Sequence, residues 1–416
     1  MQQSSKLKPY LVVFTAALFF MFEFINMNSF NVLNDALRAA FQVNALQISN
    51  LSAMYFYANV LFLIPAGLIL DRVSTRKLLL TATMVCIVSN LVFAVTHEFW
   101  VAELCRFVTG IGSTFALLSS ALLTSRWISS KHAGMVMGFV VTLAMLGGML
   151  AQQMRWLMDF TQSWRLAVIM VAGLGFIFWL CIFYQVSDYP PGYHDTHASL
   201  PSAGAQGFRH KFALAFRNKQ IWCAGIYSSL INLTVMILGA LWGQDYLMIS
   251  HGFTATEAAS AISMIFLGLM LGSPLFGIIS DHFGRRKLPM LIGGILNLLM
   301  ILLILYLPLT PVYATLMLFM LGLLSSSQII TYPLIIESVP RNITASSEAI
   351  SATLIMGGGA VFQPLFGWLL DRFTATPGQY TAASFNTTLW MLPLAFLVAT
   401  LVTLFLHETY CQAFKE

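Results

Sequence analysis

Twelve mostly apolar runs, each long enough to cross a bilayer, follow one another along this chain. They lie at roughly 10–31, 49–70, 78–96, 99–124, 133–156 and 165–186, then 221–243, 256–279, 288–308, 311–333, 349–370 and 387–406. A spanning helix needs about 20 such residues to cross a hydrocarbon core about 30 Å thick. In lipid every backbone polar group must be satisfied within the segment or a closed barrel, so runs of this length read as helices. Charge agrees: 58% of residues are hydrophobic and 9% are charged, against about 25% charged in soluble domains. The expected fold is an all-α membrane protein with 12 transmembrane helices.

Lys6 and Lys8 precede the first run, as in a signal peptide. That run continues to about Phe30 with no small-residue cleavage site, so a retained first helix is expected. Four of the five cysteines, Cys86, Cys105, Cys181 and Cys223, fall inside apolar runs, and Cys411 lies beyond the last. With no CxxC pair or metal-ligand spacing, they read as small hydrophobes, and no metal or other cofactor is expected. The longest polar gap, about Ser187 to Gln220, separates the sixth run from the seventh and carries Pro190, Pro191, Gly192 and Pro201, then Arg209, Lys211, Arg217 and Lys219. It predicts a linker over 187–220 between two six-helix bundles, 1–186 and 221–416.

Cytoplasmic loops retain Lys and Arg. With the amino terminus inside, sixteen of the 21 basic residues fall on the inner side. Four (Arg38, Arg155, Arg165 and Arg372) fall outside, and Arg106 is within a span. Both termini are then cytoplasmic, as an even number of spans requires. The net charge of +5 is thus topological and does not point to nucleic acid.

A loop recurs. The second and third spans are joined by Gly67-Leu-Ile-Leu-Asp71-Arg72-Val-Ser74-Thr-Arg76-Lys77, and the eighth and ninth by Gly277-Ile-Ile-Ser-Asp281-His-Phe-Gly284-Arg285-Arg286-Lys287, offset by 210 residues. Internal repeats mark secondary transporters. The glycine is expected to allow close helix approach. The aspartate is expected to pair with basic residues or cap a neighbouring helix amino terminus. Together Gly67, Asp71, Arg72, Arg76, Lys77, Gly277, Asp281, Gly284, Arg286 and Lys287 form a candidate gating motif. The plain alternative is a pair of basic turns.

This loop resembles the signature of the major facilitator superfamily, G-x-x-x-D-R-x-G-x-R-K, with Ser74 and His282 as departures. Arg106-x-x-x-Gly110-x-Gly112 in span four looks like a second motif of that family. Phe22-Glu23-Phe24, Ile64-Pro65-Ala66-Gly67 and the span-eleven segment Gly357 to Arg372 resemble a bacterial uptake-type subgroup of mostly unassigned substrate. Members usually carry an arginine soon after the span-one glutamate, where this chain has Asn26, Met27 and Asn28. The glycine-proline motif of span five in proton antiporters is also missing here: the stretch reads Leu146-Gly147-Gly148-Met149. The resemblance implies two pseudo-symmetric bundles, alternating access around a central cavity, and uptake rather than drug–proton antiport.

Ionisable groups inside a span are costly and usually face the bundle interior or a water-filled path. Glu23, mid-way along span one, suits proton exchange or amine binding, or is a structural glutamate hydrogen-bonded between helices. Arg106 suits a carboxylate or phosphate, or pairs permanently with Glu103 or Glu23. Asn26, Asn28, Asn59, Gln152, Asn232, Gln328, Tyr332 and Gln363 are candidates for the cavity lining, each also readable as an interhelical hydrogen bond. Gln244 and Asp245 end span seven where a gate is possible. No Walker loop, zinc signature or nucleophile elbow is present, so no enzyme is expected. The expectation is a monomeric, proton-coupled secondary transporter in the inner (plasma) membrane for an amino acid, short peptide or organic carboxylate. The alternative is an efflux carrier for drugs or an exported metabolite.

Overall fold

The computed structural model describes residues 3–70, 73–190, 213–340, 343–375 and 379–412. It contains the twelve expected spans: Leu7–Asn28, Ala45–Gly67, Thr75–Val95, Phe99–Trp127, Gly134–Thr161, Trp164–Gln185, Lys219–His251, Ala255–Phe283, Lys287–Tyr306, Pro311–Ser338, Ser346–Arg372 and Ala382–Leu404. We number them 1 to 12. The end of the assembly where span 1 begins is called the near end, and the opposite end the far end. The main departures from the sequence reading are extensions. Span 1 passes through Ser29 into a second helix, Phe30–Phe41, and span 7 stays helical to His251.

Two features explain how polar residues are tolerated at those extensions. The Phe30–Phe41 helix buries Phe30, Asn31, Val32, Leu33, Asn34 and Leu37 on one side, an amphipathic pattern with an amide stripe in its buried face. In span 7, Thr234–Trp242 is π-helical. Gly243 closes that turn by donating its N–H to the Leu238 carbonyl, and a Cβ at Gly243 would collide with the same carbonyl.

Several packing contacts recur between the two bundles. Phe56 of span 2 packs flat on Gly359 of span 11, and Phe266 of span 8 packs on Gly148 of span 5. Within the bundles, Gly110 of span 4 meets the Tyr55 carbonyl, and Gly322 of span 10 meets the Ile265 carbonyl. Phe56 and Phe266, and Tyr55 and Ile265, stand 210 residues apart, as do the two loops. Small residues let backbones approach, which is what drives helix packing where lipid removes the hydrophobic term.

At the near end each bundle closes on itself through a carboxylate from just beyond its last span. Asp188 accepts from the Arg76 N–H at 2.8 Å and from Ser74 Oγ at 2.5 Å. Glu408 accepts from the Arg286 and Lys287 N–H groups at 2.7 and 3.0 Å. Both carboxylates therefore sit on a helix amino terminus, satisfying orphan donors and facing the positive end of the dipole. Ser74, a departure from the signature, is the N-cap of span 3 and accepts from Lys77 N–H. Gly284 ends span 8 in the left-handed region at φ +59°, which glycine adopts without strain. Arg286 bridges Asp281 at 2.6 Å and Glu337 at 2.7 Å. Burial opposes its charge, but Glu337 and Asp281 outweigh this and hold its pKa above the ordinary arginine value. The expected pairing of the loop aspartate is thus met in the second copy. Asp71 and Arg72 of the first lie outside the described residues.

One expectation needs correcting. Gly67 and Gly277 do not accommodate a close helix among the described residues: none of these lies within 4 Å of where a Cβ would stand, and the same holds for Gly134 and Gly138 near the start of span 5. The physical reason is that no described helix packs against the near-end stretches of spans 2, 5 and 8 at these positions. The tight contacts at Gly148, Gly359 and Gly367 lie farther along.

Replacing Asp188 or Glu408 with alanine removes a helix cap, which costs about 1 kcal/mol. Each variant should lower the thermal midpoint of the purified, detergent-solubilised protein, and the double variant should lower it by about the sum, because the sites lie in different bundles. Unchanged midpoints would show that the caps carry no stability.

Candidate functional site

Glu23, Asn26, Asn90 and Arg106 form a polar cluster inside the first bundle, each 8% exposed or less. Asn26 Nδ2 donates to Glu23 Oε1 at 3.4 Å, Asn90 Nδ2 donates to Asn26 Oδ1 at 2.8 Å, and Arg106 Nη1 donates to the Asn26 carbonyl at 3.1 Å. The Arg106 guanidinium lies 4.0 Å from the Phe30 ring centroid and 5.1 Å from that of Tyr55, so aromatic faces supply part of its solvation. Among the described residues no ion pair joins Arg106 to Glu23 or to Glu103, so the alternative reading of a permanent pair is not met here. Glu23 Oε2 and Arg106 Nε and Nη2 have no hydrogen-bond partner among the described residues. A cavity of about 20 Å³, lined in part by Asn26, Ser29, Asn90, Arg106 and Thr109, has room for about one water molecule. The cluster borders the other bundle closely: Tyr55 stacks under Arg106, and its neighbour Phe56 crosses to Gly359 of span 11.

The second constellation is the far-end contact between the bundles. Asn31 Nδ2 donates to the Leu238 carbonyl at 3.1 Å, Asn34 Nδ2 to the Leu241 carbonyl at 2.9 Å, and Gln152 Nε2 to the Gly239 carbonyl at 3.1 Å. All three acceptors lie in the π-helical stretch of span 7. Gln152 Oε1 in turn accepts from Asn31 Nδ2 and Gln244 Nε2, and Asn31 Oδ1 accepts from the Gln244 N–H at 3.0 Å. Trp242 Nε1 donates to Ser49 Oγ of span 2 at 3.1 Å. Asp371, at the end of span 11, accepts from the Ala45 and Leu46 N–H groups that open span 2, at 3.2 and 2.9 Å, and Tyr380 donates to the same carboxylate. Arg38 lies over Trp242 and Tyr380 and reaches Asp245 at 3.7 Å. Burial opposes the Arg38 charge, but Asp245 and Asp35 beside it keep its pKa above the usual value. Among the described residues, every hydrogen bond and ion pair between spans 1–6 and spans 7–12 belongs to this far-end set.

The candidate residues therefore separate. Glu23, Asn26 and Arg106 come together; Gln152 belongs to the far-end seal. Asn28 Nδ2 donates to the Phe24 carbonyl, and Asn59 ties span 2 to Gly110 and Ser113 of span 4. Gln363 Nε2 donates to the Met236 carbonyl, supporting the π-helical stretch from its own bundle. Asn232 and Gln328 bond to each other at 3.3 Å, and half-buried Tyr332 is an electrostatic neighbour of Glu348. Sequence reasoning missed Asn31, Asn34, Trp242, Asp371 and Glu348. The signal for the first two was present, since Asn28, Asn31 and Asn34 recur every third residue, a one-face helical spacing.

Twelve spans in two pseudo-symmetric bundles, with a buried charged cluster beside their boundary, define a polytopic membrane transporter. The chain matches the family model of the Major Facilitator Superfamily over residues 13–359 and belongs to that superfamily. It is 22% identical to the lysosomal dipeptide transporter MFSD1 of Danio rerio, over 62% of this chain and 58% of that one. It is 20% identical to the probable sulfoacetate transporter SauU of Cupriavidus necator, over 67% and 66%. It is 22% identical to the gentisate transporter of Corynebacterium glutamicum, over 85% and 79%. The first two matches thus span about three fifths to two thirds of those relatives. Among solved structures it resembles a bacterial homologue of the human lysosomal transporter Spinster, described as inward-facing and unoccupied (TM-score 0.79, 16% identity, covering 96% of this chain and 97% of that one). The nucleoside transporter NupG is similar at TM-score 0.76, with 16% identity over 94% and 99%. These likenesses show the fold.

If the amides hold the far end shut, Asn31→Ala with Asn34→Ala removes four interhelical bonds, three of them between the bundles, worth about 0.6–2 kcal/mol each in a membrane. A cysteine placed at Ser52, fully buried here, should then react with a membrane-impermeant maleimide at least about threefold faster in nanodiscs. An unchanged rate would show that other contacts hold the far end shut.

Proposed function

We propose that this chain is a secondary active transporter that moves a small polar organic solute by alternating access, coupled to protons. The near end is the cytoplasmic end of a protein in the inner (plasma) membrane, and the bundles 1–186 and 221–416 are the rocking units joined by the 187–220 linker. The observation that supports this reading is the one-sidedness of the contact between bundles: polar bonds at the far end, and glycines without close neighbours among the described residues toward the near end. Such an asymmetry is what a carrier closed to one side would have.

Glu23 is the proposed proton carrier. It is a carboxyl buried within hydrogen-bonding distance of one amide, with its second oxygen unpartnered among the described residues, so its two protonation states differ strongly in solvation cost. Arg106, with two unpartnered nitrogens, is the proposed anchor for an acidic group. The relatives' named substrates, a dipeptide, sulfoacetate and gentisate, each carry an acid group, which favours an anionic or zwitterionic solute.

The test is reconstitution into proteoliposomes with a panel of dipeptides, sulfonates and aromatic carboxylates, with and without an imposed pH gradient. Wild type should accumulate at least one of them only with the gradient. Glu23→Gln should retain gradient-independent exchange but lose accumulation, and Arg106→Lys should cut transport at least about tenfold, because the ammonium loses bidentate geometry. Accumulation that ignores the gradient and survives Glu23→Gln would remove the coupling assignment.

A further inference from the structure

We propose that Gln363 and Ser52 are the solute's second anchor, taking an N–H or O–H donor of a molecule whose acid group goes to Arg106. The inference rests on the reading above and narrows its solute class. An acid alone does not complete this site, and an acid that also carries a hydrogen-bond donor does.

Spans 2 and 11 pack along one stripe of each helix. Gly367 meets Ala45 and Ser49, and Gly359 meets Phe56. Gln363 stands one turn from both glycines, and Ser52 lies between Ser49 and Phe56 on the facing stripe. Both residues are fully buried. Gln363 Nε2 donates to the Met236 carbonyl at 2.8 Å. That bond fixes which way the amide points, because the flipped amide would set oxygen against oxygen. Gln363 Oε1 and Ser52 Oγ are then left without a hydrogen-bond partner among the described residues. Two unpaired polar atoms thus share one level of the boundary between the bundles.

The repeat shows what Gln363 lacks. Four residues beyond the packing glycine of spans 5 and 11, Gly148 and Gly359, stands a glutamine, Gln152 and Gln363. Each donates to a carbonyl of the π-helical stretch, that of Gly239 and that of Met236. Gln152 Oε1 accepts from Asn31 Nδ2 at 3.2 Å and from Gln244 Nε2 at 3.1 Å. Gln363 has no counterpart of either donor. The equivalent of Asn31 is Leu241, and the equivalent of Gln244 is Asn34, whose Nδ2 donates to the Leu241 carbonyl. One glutamine of the pair is completed by the protein, and the other is left to a donor from elsewhere.

The solute is the donor that fits the place. Ser52 is three residues, about 4.5 Å along the helix, from Tyr55, whose ring centroid lies 5.1 Å from the Arg106 guanidinium. Arg106 Nε and Nη2, themselves without a partner among the described residues, are therefore within the length of one small molecule of the Gln363–Ser52 pair. When the far end parts, water reaches both atoms. When it closes over a solute, the solute's donor takes the place of that water. Closure over an acid without a donor leaves both atoms buried and unpaired, which is how a polar site rejects an analogue of the right size.

The experiment titrates the full chain, purified in nanodiscs, with matched pairs of acids and reads affinity from the rise in thermal midpoint. The pairs are alanyl-alanine with its ester analogue alanyl-lactate, lactate with propionate, and 3-hydroxybenzoate with benzoate. In at least one pair the wild type should bind the donor-bearing member at least about tenfold tighter. That ratio should fall below about threefold in Gln363→Leu and in Ser52→Ala. Ser52 Oγ makes no bond among the described residues, so Ser52→Ala keeps the test decisive where Gln363→Leu, which also frees the Met236 carbonyl, lowers stability. Equal affinities within every pair that binds, or a ratio that survives in either variant, overturns the anchor. Arg106→Lys weakening both members of each pair would leave the acid-binding reading standing in that case. No binding by any pair overturns the solute class and the anchor with it.

Discussion

The structure turns on a set of backbone carbonyls that one bundle exposes and the other satisfies. In a π-helical stretch the bonding register shifts by one residue, and the carbonyls of Leu238, Gly239 and Leu241 gain partners from Asn31, Gln152 and Asn34 of the opposite bundle. In a bilayer an unmet carbonyl costs several kcal/mol, so irregular backbone persists only where protein or water covers it. The amide stripe provides that cover when the bundles are together. Water provides it when they part. A contact made of groups that water can replace one for one is reversible in a way that interlocked apolar side chains are not.

The repeat shows where the two bundles part from symmetry. Packing positions are duplicated: Phe56 with Phe266, Gly110 with Gly322, and the Asp188 cap with the Glu408 cap. The polar cluster is not. Glu23 corresponds to Leu233, fully buried, and four residues before Gly322, where Arg106 precedes Gly110, stands Leu318. One bundle carries buried charge and its counterpart carries leucine in the same architecture. Structure alone would not require Glu23 and Arg106, since the second bundle folds without them.

Much of this was legible in the residue order. Spans in a lipid solvent must be long and apolar, so hydropathy finds them, and the loop from Gly67 to Lys77 and its copy identify the repeat directly. Three things were not. The continuation of span 1 through Asn31, Asn34 and Asp35 fails a hydropathy window because its polar residues are buried by the other bundle, a partner that the sequence does not display. The π-helical register of span 7, whose carbonyls meet those same cross-bundle amides, has no signature of its own beyond Gly243. Asp188 and Glu408 read as polar residues after a last span, and only the fold brings them onto the amino termini of spans 3 and 9. In each case the missing information is which surface faces which.

The same logic explains why the seal can be strong and still open. Each cross-bundle bond contributes about 0.6–2 kcal/mol in a membrane setting, and the far-end set is mixed. Amide–carbonyl bonds, the Trp242–Ser49 bond and the Asp371 cap on span 2 are joined by the Arg38–Asp245 ion pair. Opening the end loses all of them together, but each lost bond is returned by water entering the cleft, so the net difference is a small fraction of the gross total. Under the proposed alternating access, a small net difference would let the binding energy of a solute decide which end is closed. The near end carries no such set among the described residues. Its carboxylates Asp188 and Glu408 are spent on caps within their own bundles.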